Sequence, residues 1–338
     1  MNRIALMPAP ARAEIFAETA ARMGIADAIV EKDFWVCWML QQLFSIPELD
    51  GRLLFKGGTS LSKVFHAINR FSEDIDLAVD YAALGFVGER DPRREGISKT
   101  RRNTILADML TACQRYVAAE FLQLVERRCE EILGTGEGWS LAVAADEPHI
   151  VRFRYPAAIG AALPYIHPQV VLELGTHAEF VPHGTFSLRA FAIEQFPNLA
   201  DAGDVAVEVL LAKRTFWEKA TILHAEFFRP VDKPFPERYS RHYYDLALMA
   251  TGPIGEEALG DIALLGQVVT HKQIFYPSAW ARYVLARPGS LKLLPAEERL
   301  NSLRRDYRNM GVMIFGEPPP FETIMNDLAV LEERINRA

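Results

Sequence analysis

Apolar positions recur every three or four residues through "ARAEIFAETAARMGIADAIVEKDFWVCWMLQQLF", which predicts helix over residues 11–48 with a break near Gly24. "RLLFKGG" is a short apolar run closed by a glycine turn, and "DIDLAVD" alternates, so both are expected as strands. Between them "TSLSKVFHAINRF" places Leu61, Val64, Phe65 and Ile68 on one helical face, with Thr59 or Ser60 at the N-cap. A helical insertion is predicted over residues 95–134, stopped by "GTGEG". "WSLAVAA", "HIVRFRYP" and "QVVLELGT" then predict three strands, with a further short one near "GTFSLRAFA". From "VAVEVLLAKRTFWEKATILHAEFF" onward the pattern is helical almost to the end, interrupted by "RPVDKPFPERY" and "ARPGSLKLLP". The expected organisation is an α/β (α+β) domain over residues 1–203 with helices before and inside it, followed by a mostly helical domain over 204–338. The boundary is expected near Asp201 to Asp204.

The 338 residues are half apolar and 24% charged, enough to bury a large core in two domains. The longest apolar runs, such as "ALGDIALLGQVV", are broken by Asp or Gly and fall short of the roughly 20 residues that span a bilayer. No membrane segment is therefore expected. The first residues lack the continuous apolar stretch of a secretory signal, so the cytoplasm is the expected location. Cys37, Cys113 and Cys129 are widely spaced and read as reduced thiols, with Cys37 in the core. A formal charge of −7 argues against broad coating of nucleic acid, although "RDPRREGISKTRR" at 90–102 is strongly basic. A solvated helix start or loop is the ordinary fate of such a run.

The chemistry concentrates in "LLFKGGTSLSKVFHAINRFSEDIDLAVD". Gly57 and Gly58 permit a tight turn and close approach to a ligand. The start of the following helix, with the Thr59 and Ser60 hydroxyls, suits a phosphate, although the Walker A spacing is missing. Asp74 and Asp76 point to the same face of a strand, where like charges repel unless a cation lies between them. Hard oxygen donors of this kind favour Mg²⁺ or Mn²⁺, which would also bridge the phosphates of an NTP. Two-metal transfer usually needs a third carboxylate, and Glu173 is the candidate because it interrupts a Val/Leu run that reads as a buried strand. A solvated acidic turn and an edge-strand Glu173 are the ordinary alternatives. Glu73 faces the other side of its strand from the two aspartates, whereas the Ser72 hydroxyl can order the turn or a metal-bound water.

The string "GGTSLSKVFHAINRFSEDIDLAV" resembles the nucleotidyltransferase motif of the AbiEii/AbiGii toxin family, which includes the MenT toxins. "IVEKDFWVCWML" is similar to the family's leading helix, "VVLELG" to its third-carboxylate strand and "RYSRHYYDLALMA" to its late Arg/Asp motif. The resemblance implies a DNA polymerase beta-like nucleotidyltransferase core with a mixed sheet. It also implies that Gly58, Thr59 and Ser60 face the triphosphate, that Asp74 and Asp76 ligate the metal, and that Lys63 reaches the phosphates. Lys219 and Asp245 match a second lysine and a later aspartate of the family's site, and Arg241 shares a helical face with Asp245 and can pair with it. Both lysines as ordinary surface residues, and Arg241–Asp245 as a purely structural pair, remain the alternatives.

The activity these residues imply is transfer of a nucleoside monophosphate from an NTP to an acceptor hydroxyl. By resemblance the acceptor is a tRNA 3′ end, and the protein a toxin paired with an antitoxin, often in phage defence. Arg90 to Arg102, Arg152 and Arg154 are then the expected RNA-facing surface. Transfer to a small molecule or a protein side chain, and a noncatalytic nucleotide-binding module, are the competing readings.

Overall fold

The computed structural model describes residues 1–136, 138–160, 166–199 and 204–338. Its contacts divide into two units, Met1–Val64 with Ser72–Val209, and Phe65–Phe71 with Leu210–Ala338. Of the boundary region expected from sequence, residues 201–203 lie outside the described residues.

The first unit runs α1 (Asn2–Ala5), α2 (Ala9–Met23), α3 (Asp27–Leu43), β1 (Leu53–Lys56), α4 (Gly57–Lys63), β2 (Asp74–Val79), α5 (Lys99–Tyr116) and α6 (Leu122–Leu133). It continues through β3 (Ser140–Val143), β4 (Ile150–Arg154), β5 (Gln169–Gly175), β6 (His183–Leu188), α7 (Phe191–Gln195) and β7 (Val205–Leu210). The strands form one mixed sheet in the order β3-β4-β5-β2-β1-β7-β6. β1 pairs antiparallel with β2 and parallel with β7, while β2 runs parallel to β5. The expected α/β class and mixed sheet are therefore present.

Gly24 ends α2 in the left-handed conformation, at φ 66°, where the break was expected. α3 is buried along almost its whole length. Its Trp35 stacks on Tyr155 with centroids 5.5 Å apart, and its Trp38 on Phe153 at 5.6 Å. All four rings are buried in the core of the first unit. The insertion forms as α5 and α6, joined by a π-helical turn at Val117–Phe121. All three cysteines are free and buried.

Three expectations need correction. The helix expected over "TSLSKVFHAINRF" starts earlier, at Gly57, and stops at Lys63. His66 takes φ 47°, and residues 69–71 pair with 313–315 instead, through Phe71 N–H to the Met313 carbonyl and Phe315 N–H to the Asn69 carbonyl. "VAVEVL", read as the start of a helix, is strand β7: Val205, Val207 and Val209 alternate inward, and Val209 pairs with Phe55. Alternate β-branched residues beside an open strand edge outweigh the helical periodicity that begins downstream. β5 is not buried on both faces: Val170, Leu172 and Leu174 point inward, and Glu173 is exposed on the other face.

In the second unit α8 (Ala212–Phe227), α9 (Ser240–Ala250), α10 (Pro253–Leu259), α11 (Ile262–Phe275), α12 (Leu300–Met310) and α13 (Phe321–Arg337) form a helical body. α9 packs on α8, α10, α12 and α13. Its N-terminus is held by Asp306, whose carboxylate accepts from the Arg238 and Ser240 N–H groups, each at 2.8 Å.

Candidate active site

The site begins where β1 turns into α4. Gly57 has φ 81°, and a Cβ built there would stand 1.8 Å from Asp76 Oδ2. The first glycine is thus required twice, for its backbone conformation and for its distance from the Asp76 carboxylate. The hydroxyls behind it are turned inward. Thr59 Oγ1 donates to the Asp74 carbonyl at 2.5 Å and lies 2.9 Å from Ser72 Oγ, whereas Ser60 Oγ donates to the Gly57 carbonyl at 2.9 Å. Both are buried, so they brace the turn and the start of β2 rather than offering their protons outward. Ser72 shares in that bracing.

Lys63 is likewise directed into the protein. Its Nζ lies 2.7 Å from Asp33 Oδ1 and 3.7 Å from the centre of the Phe191 ring. Burial works against its charge, but Asp33 more than offsets this and holds the ammonium protonated. Asp33 also accepts the Phe191 N–H at 2.7 Å. The expectation that Lys63 reaches outward is replaced by a buried pair tying α4 to α3 and α7. Asp33 escaped notice in the sequence because it lies inside an apolar helix, far from its partners along the chain.

β2 presents its two aspartates on one face and buries Ile75 and Leu77 on the other. The register places Lys56 of β1 and Glu173 of β5 directly beside Asp76, while Asp74 pairs with Val171. Cross-strand partners share a face, so Lys56, Asp76 and Glu173 form one row across three strands. Lys56 was missed in the sequence, although its place immediately before the glycines was a signal. Glu73 points away from this face and pairs with buried Lys32 at 2.8 Å. Lys32 also donates to the His167 carbonyl at 3.0 Å, joining the residue before Asp74 to the approach to β5.

The donor set suits a hard divalent cation: adjacent carboxylates on one face of a strand, with an amine in the neighbouring register position. Among the described residues, however, no three His, Cys, Asp or Glu side chains are gathered in ligating range. Asp74 and Asp76 are thus the candidate holding pair, and Glu173 is their neighbour by register.

The remaining predicted residues lie in the second unit. Asp245 is fully buried, with Oδ1 accepting from Arg70 Nε at 2.7 Å and Oδ2 from Arg70 Nη2 at 2.9 Å. Lys219 Nζ stands 2.8 Å from Oδ2. Burial alone would raise the Asp245 pKa, but the two cations outweigh it and hold the carboxyl below the ordinary range. Burial lowers the Lys219 pKa, with Arg70 acting in the same direction and Asp245 against it. The expected partner Arg241 is exposed, and the carboxylate is instead taken by Arg70. No local spacing could reveal a pairing between positions 175 residues apart.

A mixed sheet that displays paired aspartates beside a glycine turn suits a phosphate-bound divalent cation. The family model described as "Nucleotidyl transferase AbiEii toxin, Type IV TA system" matches residues 38–327, and the chain belongs to that family. It is accordingly a nucleotidyltransferase of the toxin half of a type IV toxin–antitoxin system. Among solved structures it is similar to MenT4, a nucleotidyltransferase toxin from Mycobacterium tuberculosis H37Rv, at 16% identity and a TM-score of 0.44, covering 94% of this chain and 98% of that one. That likeness is loose, and the family assignment rests on the family model. Among curated proteins there is no match. No helix among the described residues is long and apolar enough to cross a membrane.

Proposed function

We propose that the protein transfers a nucleoside monophosphate from an NTP to the 3′-terminal hydroxyl of a tRNA, with Mg²⁺ or Mn²⁺ as cofactor. The acceptor oxygen forms a bond to the α-phosphorus, the bond from that phosphorus to the bridging oxygen breaks, and pyrophosphate leaves. A divalent cation held by Asp74 and Asp76 would supply positive charge against the triphosphate and make the acceptor hydroxyl more acidic. Gly57 and Gly58 leave the backbone of the turn open to the phosphates, and the buried Thr59 and Ser60 hydroxyls keep that turn in shape. Glu173 orients the attacking hydroxyl by accepting its hydrogen bond, while Lys219 neutralises phosphate charge. Arg94, Lys99, Arg101 and Arg154 are exposed and suit the RNA-facing role. The cell context of this reading is the cytoplasm, with an antitoxin as partner and phage defence as outcome.

The observation that carries this reading is the apposition of the glycine turn to Asp76 on the partly exposed face of β2. The test supplies α-phosphate-labelled NTPs, one at a time, with total tRNA and with or without Mg²⁺. Wild type should label RNA only with the metal, and Asp74→Ala and Asp76→Ala should not label it at all. Label found on protein or a small molecule would move the acceptor elsewhere, and unchanged transfer by either variant would sink the mechanism.

A further inference from the structure

Arg70 lies within the glycine–aspartate stretch but was given no role from the sequence, yet it takes both oxygens of a fully buried carboxylate in the second unit. Its fork is fixed at both ends. The flanking backbone is held by the Arg70–Ile314 bridge, by Phe71 N–H to the Met313 carbonyl at 2.7 Å, and by Asn69 Nδ2 to the Phe315 carbonyl at 2.8 Å. A bidentate guanidinium–carboxylate pair defines the plane and rotation of the carboxylate, which a single ammonium does not. The shared oxygen is Asp245 Oδ2, which receives both Arg70 Nη2 and Lys219 Nζ. With its plane set by Arg70, that oxygen offers Lys219 one place to stand. A lysine stem carries four rotatable bonds and about 2 kcal/mol of rotamer entropy, so an unanchored ammonium would spread over several positions.

We propose that Arg70 is a positioning residue of the transfer reaction, acting through the Asp245 carboxylate to fix the Lys219 ammonium in a single place. The inference rests on the reading that Lys219 neutralises phosphate charge. It gives Asp245 a specific task as well: its oxygens are committed to two cations, so it serves as the joint between them rather than as a group meeting substrate.

The test is a double-mutant cycle on label transfer to total tRNA, with Arg70→Met, Lys219→Met and the double variant measured under single-turnover conditions over long incubations. Arg70→Met should lower kcat on the order of 100-fold while the NTP KM changes only about twofold. In the Lys219→Met background the same substitution should have almost no further effect. Arg70→Lys keeps the buried charge without the fork and serves where Arg70→Met does not fold. It should melt near wild type and lower kcat about tenfold. Wild-type kcat in a folded Arg70→Lys protein, or full additivity in the cycle, would overturn the inference while leaving the site intact. Wild-type transfer by Lys219→Met alone would overturn the underlying reading of Lys219, and this inference with it.

Discussion

Gly57 has no room for a side chain because Asp76 occupies the space: an added Cβ would lie 1.8 Å from Asp76 Oδ2 and 2.7 Å from its Cγ. The carboxylate would have to leave its position beside Lys56 and Glu173. The φ of 81° at Gly57 adds backbone strain of about 1 kcal/mol for any L-residue. Gly57→Ala should therefore lower label transfer on the order of 100-fold and lower stability only modestly. Parallel transfer assays and thermal melts check this, and near-normal transfer would separate the turn from the chemistry.

The buried Lys63–Asp33 pair makes the opposite prediction. Lys63→Met would leave the Asp33 carboxyl buried with, among the described residues, only the Phe191 N–H as a partner, a loss of about 3 to 5 kcal/mol. Denaturant midpoints should fall accordingly, while the NTP KM of the folded fraction stays near wild type. A large rise in KM at unchanged stability would return Lys63 to the phosphates.

Local chemistry was the most legible part of the chain. The glycine turn and the aspartates lie within twenty residues of one another, so their spacing alone placed them together. Glu173 was identified as an acid inside an apolar strand, but it is exposed on the face that carries Asp74 and Asp76. The partners Asp33 and Arg70 were hidden because a buried ion pair is set by tertiary packing and leaves no periodic trace. β7 was missed for a related reason: its alternating valines run directly into the apolar stripe of α8, and only the open edge of β1 decides between strand and helix.

His242 gives the second unit a pH dependence. Burial and the charges of Lys219 and Arg241 lower its pKa well below 6.5, against the pull of Asp245. The unfolded chain binds this proton more readily than the native one, so stability is complete above about pH 6.5 and is lost progressively as pH falls below that value toward the lower native pKa. His242→Asn removes the titration. Its melting temperature should fall less than wild type's between pH 7.5 and 5.5, and equal slopes would assign the acid sensitivity to other groups.

Glu173 allows activity and stability to be separated. It is exposed on β5, directly beside Asp76 in the register, and among the described residues its side chain supports no buried partner. Exposed substitutions that break no specific contact usually change stability by less than about 0.5 kcal/mol. Glu173→Gln keeps shape and polarity but loses the charge and the strong acceptor that would orient a hydroxyl. Transfer should fall on the order of 100-fold while the melting temperature stays within about a degree of wild type. A buried structural acid would give the reverse, a destabilised protein whose folded fraction works normally. Finding that reverse pattern would remove Glu173 from the reaction and leave Asp74 and Asp76 to carry the carboxylate chemistry alone.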